Sequence, residues 1–127
     1  MAFEAFFENE STVYIKFSGT VSADEILTSQ RKMTDDGNHT KLRHIIIDAT
    51  DIENNLSTDQ DVEDMSALSI AQSQKIPFIK NAIIMNDDES SQALTAYYQL
   101  LAESTGWDIQ LFTRVSDARD WLQSFEI

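Results

Sequence analysis

The sequence predicts a single α/β domain, residues 1–127, built on a mainly parallel sheet. The first observation is the order of its apolar patterns, β-β-α-β-α-β-α-β-α, because strands that alternate with helices need crossover connections. The second is a pair of short apolar runs, 45–47 and 83–85, which are typical of strands buried on both faces. The length of 127 residues is that of about one domain.

The chain opens with a predicted β-hairpin. Residues 3–8 and 12–18 are the two strands, and residues 9–11 form the turn between them. In the second strand Val13, Ile15 and Phe17 alternate with polar or amphipathic side chains, a period of two that indicates a half-buried strand.

Four helices follow, each with a terminal signal. Ser22 and Glu25 form a capping box for the first helix, and residues 35–38 end it. Residues 57–60 indicate a second capping box, with Ser57 as N-cap, for a helix that ends before Pro77. Further signals are Gly106 as the C-cap of the third helix and Ser116 as the N-cap of the last.

The remaining strands are predicted over 43–49, 80–86 and 108–113. In such sheets, ligands and partners meet the loops at the carboxyl ends of the strands. The loop over 50–56 is the longest and most polar of these. The candidate partner-binding or regulatory residues lie in it and at the start of the second helix: Asp51, Glu53, Asn54, Asn55, Ser57, Thr58 and Asp59.

Composition excludes several classes of function. The absence of Cys removes disulfides, thiolate catalysis and Cys-ligated metals, and three separated glycines cannot build a phosphate-binding loop. A net charge of −13 argues against nucleic acid. We expect no metal and no cofactor, because the acidic residues at 59–64 lack the glycine and terminal glutamate of an EF-hand loop.

Neither a membrane segment nor an enzyme is indicated. No run of 18 apolar residues occurs, and the N-terminus lacks a basic segment followed by an apolar one. We therefore expect a soluble cytoplasmic protein. No catalytic motif accompanies His39 or His44, so we expect a non-enzymatic protein.

Three features carry a resemblance to a known family. They are the strand 45–48 running into Asp51 and Glu53, the helix around 93–101 after an Asp-rich turn, and the closing segment 115–122. With these features the chain resembles the SpoIIAA-like (STAS-like) group, which includes the anti-sigma-factor antagonists. Within that group it is most similar to the small stand-alone bacterial proteins of unassigned function.

The resemblance implies a regulatory module that binds a protein partner. Antagonist domains of this group carry a phosphorylated serine in an Asp-Ser-Ser-Gly-like motif, which falls here on residues 56–59. The two hydroxyls remain, but Leu56 replaces the leading Asp and Asp59 the trailing Gly. Ser57 or Thr58 is accordingly either a phosphoacceptor or, in the case of Ser57, simply the helix N-cap.

The second helix leaves two interpretations open. Between Arg43 and Lys75 there is no Lys or Arg, so its acidic start either serves solubility or attracts a basic partner. Its apolar residues lie around most of its circumference rather than in one stripe. These residues are either covered within the chain, or part of the helix meets a protein partner, a second copy of the chain or an apolar ligand. Folds of the resembled group also occur in lipid-carrying domains, so the resemblance implies an alternative function, the binding of a lipid or small apolar ligand. Its candidate contacts are Met65, Leu68, Tyr97 and Tyr98, with Tyr98 as an exposed aromatic.

Self-association is expected to be weak. A net charge of −13 on one small domain opposes dimerisation, and salt screens that repulsion. The sequence therefore predicts a monomer at low salt and at most a weak homodimer at physiological salt.

Overall fold

A computed structural model describes residues 3–35, 41–86 and 88–123. They contain a five-stranded sheet whose spatial order follows the chain. The first two strands pair antiparallel and all later pairs are parallel, as predicted. The strands are β1 (Phe3–Asn9), β2 (Thr12–Val21), β3 (His44–Asn55), β4 (Lys80–Ile84) and β5 (Asp108–Phe112).

Four helices cover the two faces of the sheet. Because each parallel crossover has the same hand and the strands lie in sequential order, the three crossover helices share one face. The last helix packs on the other face. The helices are α1 (Ala23–Asp35), α2 (Asp59–Ser73), α3 (Glu89–Leu101), which continues into a short 3₁₀ segment (Ala102–Thr105), and α4 (Val115–Gln123).

The sheet separates two apolar cores. Ile45 of β3 belongs to the larger core beneath α1 to α3, whereas Ile46 belongs to the smaller core beneath α4. Both side chains are completely shielded from solvent, as expected for a strand buried on both faces. In β2 the alternation places Val13 and Ile15 in the larger core and Tyr14 on the α4 side.

The strand β3 is longer than the sequence indicates. The predicted loop over 50–56 is wrong, because β3 stays paired with β2 as far as Val21 opposite Asn55, and the Leu56 N–H then donates to the Val21 carbonyl at 2.9 Å. The register of this pair shifts near Gly19, whose φ of +69° is a conformation that glycine adopts without strain. The pairing therefore holds residues 51–55 in the sheet.

The capping box of α1 and the glycine cap after α3 are confirmed, whereas the N-cap predicted for α4 is wrong. The Ser22 hydroxyl accepts from the Glu25 N–H at 3.3 Å, and the Glu25 carboxylate accepts from the Ser22 N–H at 3.4 Å. Gly106, with φ of +75°, ends the 3₁₀ segment after α3. Ser116 is not the N-cap of α4, because the helix already begins at Val115. α1 reaches Asp35, and residues 36–38 of its predicted end lie outside the described residues.

Polar contacts explain why α2 has no single apolar stripe. The Gln30 side chain of α1 donates to the Met65 carbonyl at 3.3 Å and to the Ser69 hydroxyl at 3.0 Å. The Gln72 side chain donates back to the Gln30 carbonyl at 2.7 Å, and Ser69 also bonds the Tyr98 hydroxyl of α3 at 2.7 Å. Ser69 and Gln72 of α2 are thus buried in hydrogen bonds with neighbouring helices of the same chain.

A second polar network lies on the α4 side of the sheet. The Tyr14 hydroxyl donates to the Asp48 carboxylate at 2.5 Å, and the Thr50 hydroxyl donates to the same group at 2.6 Å. The Arg119 guanidinium lies 5.6 Å from the Tyr14 ring centre and forms an ion pair with Glu8 at 2.7 Å. Burial opposes ionisation of Asp48, but the hydrogen bonds from Thr50 and Tyr14 outweigh it and lower the pKa of that carboxyl.

We predict that Tyr14→Phe destabilises the domain by about 2 kcal/mol near pH 7, because it removes a hydrogen bond to a buried carboxylate. The lowered pKa of Asp48 means that this stabilisation is fully present above the unfolded value of about 3.9 and is lost as the pH falls from there through the lower folded-state pKa. Urea unfolding at about pH 7 and about pH 3 measures the difference, with Tyr97→Phe as control. An equal penalty at both pH values would contradict the assignment.

Candidate functional site

A cavity of about 110 Å³ lies between the sheet and the three helices α1, α2 and α3, and it is partly open to solvent. Its sheet side is formed by apolar residues of β2, β3 and β4, including Ile15, Ile47 and Ile83. Ile26 of α1 and Met65 of α2 contribute to its helical side. The cavity is the kind of concave, mostly apolar space that small molecules occupy.

The wall of this cavity carries no charge. Among the described residues that line it there is no Asp, Glu, Lys, Arg or His. Its polar members are amides and hydroxyls from α1, α3, β3 and the segment before α2: Ser29, Gln30, Asn55, Ser57, Thr95 and Tyr98. A charged group placed in the cavity would have no opposite charge in the wall.

The end of β3 contributes some side chains to the cavity wall and others to the protein surface. Ile52 and Asn55 line the cavity, whereas Asp51, Glu53 and Asn54 are exposed. Asp51 forms an ion pair with Lys16 at 3.0 Å, and both side chains remain largely solvent-exposed. The candidate partner-binding residues are therefore divided between an outward set and an inward one.

The start of α2 differs from the prediction in which residue caps the helix. Thr58 is the N-cap, not Ser57: its hydroxyl accepts from the Asp61 N–H at 3.2 Å, and its own N–H donates to the Asp61 carboxylate at 2.8 Å. Both residues have an acceptor side chain three positions later, so the sequence pattern fits either. Continued pairing of β3 to Asn55 shifts the first helical residue to Asp59.

Ser57 instead belongs to the cavity wall. Its N–H donates to the Asn55 side-chain oxygen at 3.0 Å, while its hydroxyl oxygen is buried without a hydrogen-bond partner. Thr58 and Asp59 are exposed on the outward side.

Only two of the four candidate ligand contacts line the cavity. Met65 and Tyr98 line the cavity, but Leu68 and Tyr97 are not among its lining residues. The expectation that Tyr98 is exposed is wrong: it packs against the larger core, its hydroxyl bonds Ser69, and burial raises its pKa. Sequence reasoning missed Gln30, whose place in the wall follows from helix packing rather than from any local motif.

Hydrogen bonds hold the start of α3 against β3. The Asn86 side chain donates to the Ile52 carbonyl at 3.1 Å, and the Gln92 side chain donates to the Asn86 carbonyl at 3.1 Å. Asn86 lies two residues after the carboxyl end of β4, so these bonds join two neighbouring strand ends to the helix. They position Leu94 and Thr95, which line the cavity from α3.

The acidic residues at the start of α2 do not form a metal site. Within residues 3–35, 41–86 and 88–123, no group of three His, Asp or Glu side chains converges so as to hold a metal ion.

No described helix is long and apolar enough to cross a membrane.

A solved structure is similar to this chain over almost its entire length. It is an uncharacterised protein of the DUF3478 family, with a SpoIIAA-like fold, from Shewanella loihica PV-4. The match covers 95% of this chain and 94% of that chain, with 16% identity and a TM-score of 0.58. The chain thus has the SpoIIAA-like fold that its sequence predicts. No family profile and no curated protein matches the sequence.

We predict that Thr58→Ala destabilises the domain by about 1 kcal/mol, because it removes the N-cap of α2. Ser57→Ala, one residue earlier, removes only a buried hydroxyl without a partner and is expected to cost less than about 0.5 kcal/mol of stability or to stabilise the domain. Urea unfolding of the two variants beside the wild type measures both values. A larger cost for Ser57→Ala would mean that Ser57 caps the helix after all.

Proposed function

We propose that this domain is a non-enzymatic binding module that holds a small apolar molecule in the cavity beneath α1, α2 and α3. The observation that carries the proposal is the uncharged, largely apolar wall of a space of about 110 Å³. An engineered apolar cavity of about 150 Å³ in another protein binds benzene. A cavity of about 110 Å³ therefore suits a ligand of about the size of benzene. The cavity also lies near the carboxyl ends of β2 and β3, where sheets of this type bind ligands.

Packing energetics support the same proposal. Protein interiors are close-packed, and side chains around an empty space lose dispersion contacts on that side. Here Ile26, Met65 and Leu94 border the space from three different helices. A bound apolar molecule restores those contacts without any rearrangement of the sheet.

We predict that toluene binds the wild type saturably, with a Kd of about 1 mM or tighter, and shifts the NMR methyl signals of Ile26, Met65 and Leu94. Ala49→Leu, which adds side-chain volume to the cavity wall, is expected to weaken binding at least tenfold. Ala93→Leu, the same substitution at an exposed position on α3, is the control. No saturable shift in the wild type, or unchanged binding by Ala49→Leu, would contradict the proposed function.

A second candidate function is docking of a basic protein partner on the outward side of the same segment. The observation that favours it is Leu56, whose side chain is 54% exposed between two residues of the cavity wall. The acidic side chains around it in the sequence are Asp51, Glu53 and Asp59, all of them exposed. An apolar side chain surrounded by negative charge suits a partner with an apolar contact and basic residues around it.

Phosphorylation of this segment remains a hypothesis. The Ser57 hydroxyl is enclosed, so a kinase would need the segment to open first. Thr58 is exposed, but a phosphate there would lie beside Asp59 and Asp61 and would disrupt the N-cap.

For the docking candidate, we predict that immobilised wild type retains a basic partner from an extract of the native host and releases it as salt is raised. Leu56→Asp is expected to abolish this retention. Leu100→Asp, at a leucine that is 61% exposed on α3, is the matched control. Equal retention by the two variants would exclude the surface around Leu56.

A further inference from the structure

We propose that the molecule bound in this cavity is electrically neutral and carries a hydroxyl-type head group that hydrogen-bonds Gln30 and Ser57. This inference rests on the proposed function and narrows the class of ligand. It excludes carboxylates such as benzoate, although their apolar part suits the cavity equally well.

Two residues of the wall, Gln30 and Ser57, each hold a buried side-chain oxygen without a partner, and this favours a ligand that can donate a hydrogen bond. Gln30 is 7% exposed and its side-chain oxygen has no partner in the part of the chain that the structure describes. The orientation of this amide is set, because its nitrogen donates to the Met65 carbonyl, which can only accept. The buried oxygen can therefore be satisfied only by a donor from outside the present network.

The Ser57 hydroxyl complements that acceptor. Ser57 lines the same cavity, its buried hydroxyl oxygen has no partner, and a hydroxyl can donate as well as accept. A ligand hydroxyl that donates to Gln30 can thus accept from Ser57. Leaving such buried groups unpaired is unfavourable, so a head group that pairs them gains affinity over a purely apolar ligand.

Electrostatics exclude an anionic head group. No cation lines the cavity among the described residues, and Lys16, which lies on the neighbouring strand β2, is paired with Asp51. The N-terminus of α2, which could attract an anion, already has Asp59 and Asp61 in its first turn. The net charge of −13 opposes anions further. A carboxylate would therefore lose its hydration without gaining a counter-charge.

Three probes that share one ring test this inference: toluene, benzyl alcohol and benzoate, titrated by NMR into the wild type near pH 7. Benzyl alcohol is expected to bind about fivefold more tightly than toluene. Benzoate is expected to bind at least about a hundredfold more weakly than benzyl alcohol. Benzoate binding as tightly as the alcohol, or toluene binding as tightly as the alcohol, would overturn the inference.

Ser57→Ala tests the assignment of the head-group contact. The ratio of benzyl alcohol to toluene affinity is expected to fall to less than half its wild-type value. Ser116→Ala, an exposed serine on α4 across the sheet, is expected to keep that ratio. An unchanged ratio in Ser57→Ala overturns the contact. If all three probes fail to bind the wild type, the proposed function itself fails, so the two failures are distinguishable.

Discussion

The parallel pairing of β2 with β3 is the constraint on which the rest of the structure depends. It extends from Thr12 opposite His44 to Val21 opposite Asn55, longer than any other pairing in the sheet. Because it continues past Asp51, a polar stretch that resembles a loop in the sequence becomes strand. That stretch then supplies the cavity wall through Ile52 and Asn55 and the acidic surface through its neighbours.

The alternation of side chains along these strands gives the two faces of the sheet different chemistry. On the α4 face, Tyr14 and Asp48 place a phenol and a carboxylate in one hydrogen-bonded network with Thr50. On the face beneath α1 to α3, the corresponding positions are Ile15 and Ile47, and they border an uncharged cavity. Strand alternation thus directs the Asp48 carboxylate away from the cavity.

The three helices that cover the cavity are held to one another by polar contacts as well as by apolar packing. Gln30, Ser69 and Gln72 form hydrogen bonds between α1 and α2, and Tyr98 extends them to α3. A network of fixed hydrogen bonds therefore keeps the three helices in position around a space that their own side chains do not fill.

The amino-acid sequence by itself determined the fold class, because the alternation of Val13, Ile15 and Phe17 and the isoleucines at 45–47 leave few arrangements for the strands. It also determined local helix signals such as the Ser22–Glu25 capping box, which depend only on residues three apart. The sequence also indicated residues in the segment 51–59 as a candidate site, but it did not show which of their side chains face the cavity. Pairing between strands distant in sequence decided that Thr58 rather than Ser57 caps α2, and packing between helices decided that Gln30 and Tyr98 meet at one cavity. Such contacts leave no periodic signal in the sequence, since they depend on how whole elements are placed against one another.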